Sequence, residues 1–195
     1  MRDAATQFND HDNTEAHETG RLDRERRTNY RSENKGAFVV NFQIKPLQKS
    51  EFEHLFKLSD ADLAARQACR QIVAANPGTP CRVSLQDAEI GESVILFNYE
   101  HQPEDSPYKA SHAVFIRENA EQACLSVNDV PEVISSRIIS LRYFDKNHMM
   151  IDADVVSGDT VASKLSKAFE RDEIAYIHLH NAKPGCFAAS VNRAD

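Results

Sequence analysis

The sequence predicts an α+β fold: a single domain over residues 37–195 with a largely antiparallel or mixed sheet, two main helices, and a disordered polar tail over residues 1–36. Three observations predict it. Short runs rich in β-branched and aromatic residues follow one another without regular helix alternation, which argues against a doubly wound fold. Only two substantial stretches carry apolar residues at helical spacing. The opening segment holds little apolar material beyond Phe8, Leu22 and Tyr30, and Arg21 to Arg27 alternates in charge. Such a segment buries too little surface to offset its ordering entropy, so disorder is expected there, or a frayed helix around Asp23 to Arg27.

The elements follow in order. Ala37 to Ile44 reads as the first strand, ended by Lys45-Pro46. Ser50 to Phe56 reads as a short helical turn. Ser59 has the chemistry of an N-cap, with Asp62 three residues on. The helix it starts places Ala61, Ala65, Ala68, Cys69 and Ile72 on one face and stops at Asn76-Pro77-Gly78. Cys81 to Ser84 is expected to be a short strand. Ser93 to Tyr99 and Ala113 to Arg117 are clearer ones, and a long polar loop, Glu100 to His112, joins them. Pro131 begins a short helix over Glu132 to Ser136. Arg137 to Phe144 and His148 to Val156 form the strongest hairpin, turning at Asp145-Lys146-Asn147. Thr160 to Glu170 carries the stripe Val161, Leu165, Ala168, Phe169 of the second helix. Ile174 to His180 and Cys186 to Val191 close the fold as strands about a turn at Asn181 to Gly185.

Bulk properties narrow the function classes. The chain has 195 residues, 41% hydrophobic and 27% charged, and a formal charge of −7, which is globular composition and argues against nonspecific binding to nucleic acid or anionic lipid, with a local basic patch still open. No apolar run approaches the roughly 18 residues of a membrane span, and the start of the chain lacks a signal-peptide core. The four cysteines (Cys69, Cys81, Cys124, Cys186) make no CxxC pair. They read as thiols in a reducing cytoplasm, with Cys69 and Cys124 as small buried hydrophobes.

Four groups of residues carry candidate chemistry. His178 and His180, at i and i+2 on a strand, project from one face and could chelate zinc or another borderline metal, with His101 supplying a third ligand. The alternative is a polar strand face that hydrogen-bonds to loops. Cys186 follows Pro184-Gly185, where the turn could fold it beside His178 or His180, and a histidine there would activate it as a nucleophile. In this scheme His101 or His180 moves the proton. Cys81 is the second candidate nucleophile, next to Arg82, which would activate a thiol or hold an anionic group. The alternative for both cysteines is a packed hydrophobe. Asp152 and Asp154 share a strand face and could act as an acid–base pair, but a solvated face or pairing to Arg142 is favoured. Finally Asn98, Glu100, His101, Gln102, Ser106, Tyr108 and Ser111 offer a small-molecule pocket in the polar loop, with Asn181 and Arg82 as further ligand-binding candidates; the alternative is a loop fastened by its own hydrogen bonds. Phosphate loops, dinucleotide fingerprints, nucleophile elbows and HExxH are absent, so no nucleotide cofactor is indicated, and a transition metal is the one cofactor the pattern admits.

Three phrases in fixed order carry a resemblance: Pro77-Gly78-Thr79-Pro80-Cys81-Arg82, then Asn98-Tyr99-Glu100-His101-Gln102-Pro103 with Ser106-Pro107-Tyr108, then His180-Asn181-Ala182-Lys183-Pro184-Gly185-Cys186. With Arg82-Val83-Ser84-Leu85 and Ile151-Asp152-Ala153-Asp154, they resemble the bacterial family called domain of unknown function 1203 over Phe38 to Arg193. The resemblance implies a small bacterial one-domain protein and transfers no activity and no site residue. From residue chemistry, the expectation is a cytoplasmic small-molecule-binding protein, an enzyme if the Cys/His/Arg site is catalytic. The alternative is a noncatalytic binding or assembly protein, a homodimer in which the same residues are structural. No nucleic-acid or membrane partner is expected. The site requires residues 81–82, 98–112 and 178–186 to meet in space.

Overall fold

The structure, a computed structural model, describes residues 40–195. The disordered tail and the frayed helix read from the sequence lie outside the described residues.

Among the described residues eight strands form two antiparallel sheets. The larger has the order β1-β8-β7-β5-β6, built from β1 (Phe42–Lys45), β5 (Ile138–Phe144), β6 (Met150–Ser157), β7 (Tyr176–Asn181) and β8 (Phe187–Arg193). The smaller has the order β2-β3-β4, from β2 (Ala68–Ile72), β3 (Ser93–Gln102) and β4 (Ala110–Arg117). The α-helices among the described residues are few and short: α1 (Asp60–Ala64), α2 (Glu132–Ser135) and α3 (Val161–Ala168). The α+β class with a largely antiparallel sheet therefore stands. No helix among the described residues is long and apolar enough to cross a membrane.

Strand alternation gives the large sheet two unlike faces. Ile139, Leu141, Ile177, Leu179, Ala189 and Val191 pack on one side against Val161, Leu165 and Ala168 of α3, in the main core. That stripe of α3 is the one its sequence spacing predicts. The opposite face carries Arg142, His178 and His180, and its Phe187 packs in a second core with Phe97, Val114 and Ile116 of the small sheet. The large sheet is thus a middle layer, apolar towards the helix and histidine-bearing towards the small sheet.

Several boundaries depart from the sequence reading. The expected helix from Ser59 keeps its N-cap, Ser59 Oγ accepting from Asp62 N at 3.2 Å, but α1 ends at Ala64. Gln67 has a φ of 57°, and Ala68–Ile72 leaves as β2 to pair with Ser93–Phe97. The face read as apolar is exposed at Cys69 and Ile72, so sheet pairing overrides helical propensity here. The expected strand at Cys81 to Ser84 is a tight turn with one bridge, Cys81 to Phe115. The first strand begins at Phe42. The expected long loop from Glu100 to His112 shortens to residues 103–109, because β3 and β4 stay paired as far as Gln102 and Ala110. The hairpin of β5 and β6 stands.

Candidate functional site

The central histidines come from strand period. His178 and His180 lie two residues apart on β7 and share the face turned towards the small sheet. His101 reaches them from β3. It is the extra residue of a β-bulge, since Glu100 pairs with Ser111 and Gln102 with Ala110, and a bulge re-aims a side chain at the cost of one ladder position. The three rings are buried, at 9% exposure for His101, 5% for His178 and 0% for His180. One potential ligand atom from each lies within 4.8 Å of the others. A tetrahedral ion with bonds of about 2.0–2.1 Å needs nitrogens roughly 3.3 Å apart, so modest ring tilts close the site.

Hydrogen bonding leaves nitrogens free for this. His180 Nδ1 lies 3.0 Å from the Gly185 carbonyl. A neutral His180 that donates there presents the Nε2 lone pair, and Nε2 is buried without a partner. His101 Nδ1 and His178 Nδ1 are likewise buried and unpartnered. Such atoms are costly unless something occupies them. Burial pushes His178 and His180 down to about 3 and His101 to about 4, with the Arg142 charge adding to each. All three are therefore neutral near pH 7, the form that binds a metal. Phe187 stacks on His101 with centroids 5.2 Å apart, holding the ring.

The low values make a stability prediction. The unfolded chain protonates these histidines near the usual value of about 6.5 and the folded chain does not, so stability is full above that pH and falls as pH drops. Three such groups lower the stability of chelator-treated protein by about 2 kcal/mol between about pH 7.5 and about pH 6. Urea titrations at the two pH values measure it, and equal midpoints would refute it.

A cavity of about 360 Å³ opens beside the histidines, lined by Tyr99, His101, Gln102, His148, Tyr176 and His178 among others. Gln102 donates to the Tyr176 hydroxyl at 2.7 Å, and His148 Nδ1 is 3.1 Å from the same oxygen. His148 in turn faces Glu104 at 3.6 Å. This chain of polar groups joins the cavity to the surface and could carry a proton. His148 and Glu104 carry no signal in the sequence. No local pattern marks them, because only the fold brings residues 104, 148 and 176 together.

A second cluster lies on the far side of Gly185. Arg82 is 2% exposed. It donates from Nε to the Phe187 carbonyl at 2.6 Å, from Nη1 to the Pro80 carbonyl, and from Nη2 to Cys186 Sγ at 3.1 Å. Asn181 Nδ2 donates to the same sulfur at 3.3 Å. Neither His178 nor His180 is hydrogen-bonded to the Cys186 sulfur. The expected Cys–His pair is thus replaced by a Cys–Arg–Asn cluster, because β7 turns its histidines towards His101. Cys81 is buried, and its sulfur accepts only from Arg117 N at 3.4 Å. It packs as a hydrophobe, whereas Cys69 and Cys124, expected inside, are exposed.

The three segments therefore meet, but not all their residues join the site. Asn98 and Glu100 point out from the opposite face of β3, to Gln67 at 3.3 Å and Lys109 at 3.3 Å. Ser106 Oγ caps Tyr108 N at 3.2 Å, and Tyr108 stands edge-on to Phe144. The hydrogen bonds and ion pair of these four lie within the small sheet and its loop rather than to the histidines, and Ser111 is exposed on β4. Gln102 and Asn181 do reach the two clusters. Asp152 and Asp154 bind Arg171 at 2.6 Å and Lys164 at 3.0 Å on the surface. The pairing to Arg142 does not form, and Arg142 lies instead opposite His178 across β5 and β7.

A family model described as "Protein of unknown function (DUF1203)" matches residues 78–193, a span that includes both clusters. No curated protein and no solved structure matches the chain.

Proposed function

The chain belongs to the family described as "Protein of unknown function (DUF1203)", and on that premise, which fixes no activity, we propose that it binds a small molecule at a transition-metal centre held by His101, His178 and His180. One observation carries the reading: three buried, neutral imidazoles, each with an unpartnered nitrogen, converge within 4.8 Å. Three neutral nitrogen ligands suit zinc or a neighbouring divalent ion and leave a fourth position open, as in catalytic rather than structural sites. The adjoining cavity of about 360 Å³ offers room for a small substrate there. The His180–Gly185 bond is the outer partner that fixes tautomer and ring orientation in such centres. A bound ion would polarise the substrate or lower the pKa of a bound water, and Tyr176 with His148 would pass the proton outwards. Free thiols suit a cytoplasmic setting, which stays part of the proposal.

The test is metal content of untagged protein by elemental mass spectrometry, with a chelator-treated control reloaded with zinc. Near one equivalent of a transition metal is expected. A metal-free protein that also rejects added zinc, cobalt and iron would end the reading.

The rival, noncatalytic assembly, has one observation in its favour. Ile138 and Val155 are each 62% exposed, and β6 is a sheet edge whose outer side pairs with no strand among the described residues. Sedimentation separates the two readings: a dimer whose formation blocks metal loading favours assembly.

A further inference from the structure

We propose that Cys186 is a site of reversible thiol–disulfide exchange with small-molecule disulfides, independent of the histidine centre. The argument starts from Arg82. Its guanidinium is almost wholly buried, and no carboxylate among the described residues lies within ion-pair distance. A buried charge without a counter-ion is strongly disfavoured. Of its three acceptors, two are neutral carbonyls and the third is Cys186 Sγ. The sulfur is thus the one side-chain acceptor the guanidinium holds, and Asn181 adds a second donor to it. Sulfur aligned with a guanidinium and an amide is set up as a nucleophile.

The surroundings select the partner. Cys186 and Asn181 lie on the wall of a cleft of about 840 Å³, with Leu96, Phe115 and Ile138 as apolar walls and Lys183 also on the lining. Asn181 is 6% exposed, and its Oδ1 is buried with no hydrogen bond. An unmet acceptor on a residue of the cleft lining suits a ligand N–H. An apolar-bodied thiol with an amide N–H for Asn181 and a carboxylate for Lys183 fits this set. No imidazole is hydrogen-bonded to the sulfur, and His112, which shares the cleft, sits over Gly185. The sulfur's hydrogen-bond partners are Arg82 and Asn181 and no imidazole, and a leaving thiolate is the group that departs as a stable anion without proton transfer. The step balances as Cys186–S⁻ plus RS–SR giving Cys186–S–SR plus RS⁻: one S–S bond breaks, one forms, and no outside oxidant is needed.

The test uses the full chain and glutathione disulfide, with site-resolved mass spectrometry over time. Solvent exposure alone ranks Cys69 and Cys124 first. The expected result is the reverse, with Cys186 forming the mixed disulfide at least about 10-fold faster and dithiothreitol reversing it. Because changes at Arg82 threaten the fold, Asn181→Ala carries the geometric test. It should slow Cys186 by about 10-fold and leave Cys69 and Cys124 unchanged. Cys186 reacting no faster than the exposed thiols, or at a rate untouched by Asn181→Ala, overturns the proposal. Metal content measured on the same samples separates this result from the fate of the histidine centre.

Discussion

Replacing His180 with alanine is expected to abolish the proposed stoichiometric metal binding. His180 is the most buried of the three histidines and the one oriented by a backbone carbonyl. Loss of a mere outer partner in such centres weakens the metal by about 10–100-fold, so loss of a ligand should cost more than about 100-fold. Two histidines then remain, on different sheets, and they cannot hold a divalent ion against a competing chelator. The measurement is competition with a chromophoric chelator, using His54→Ala as a surface control. Full-affinity binding in His180→Ala would remove the histidine centre from consideration. His101→Ala should fail in the same way, because the third nitrogen comes from β3 and neither β7 residue can replace it.

The largest stability effect is expected at Arg82. Arg82→Met keeps much of the volume and removes the charge. The Phe187 and Pro80 carbonyls lose their donor, and Cys186 loses its partner. Breaking a buried charged network by removing one member costs about 3–5 kcal/mol. Arg82→Lys should recover only part of this, since one ammonium cannot span three acceptors set by a planar fork. Urea unfolding measures both, and a loss under about 1 kcal/mol for Arg82→Met would show that the contacts are replaceable.

The two sites differ in how much the sequence reveals of them. The histidine pair is legible, because alternation on one strand needs no tertiary information: Tyr176, His178 and His180 share a face by parity alone. His101 is legible as a polar residue at the end of an apolar strand, though its bulge is not. The Cys186 cluster is half legible. Its members stand out as residue types, but a cysteine after Pro-Gly reads as beside a histidine until the turn is seen to hand it to Arg82, 104 residues away. The first helix is misread for a plain reason. Ala, Gln and Arg favour helix locally, and the hairpin partner that captures Ala68–Ile72 lies in a distant strand. His148 and Glu104 belong to contacts that only the assembled sheets create.

The bulges make the site a matter of counting. In β3 the extra residue is His101, so His101 and Gln102, although adjacent, are both buried beside the same cavity. In β8 the extra residue is Ala188, which returns Phe187 to the level of His180 while Ala189 stays opposite Leu179. A homologous chain with one residue fewer in either strand would keep its composition and its hydrophobic pattern up to that point. Beyond it, every side chain would face the other way. Point substitution changes one side chain here, whereas a one-residue insertion or deletion resets the facing of all that follow, so the geometry of this site depends on the lengths of these two strands.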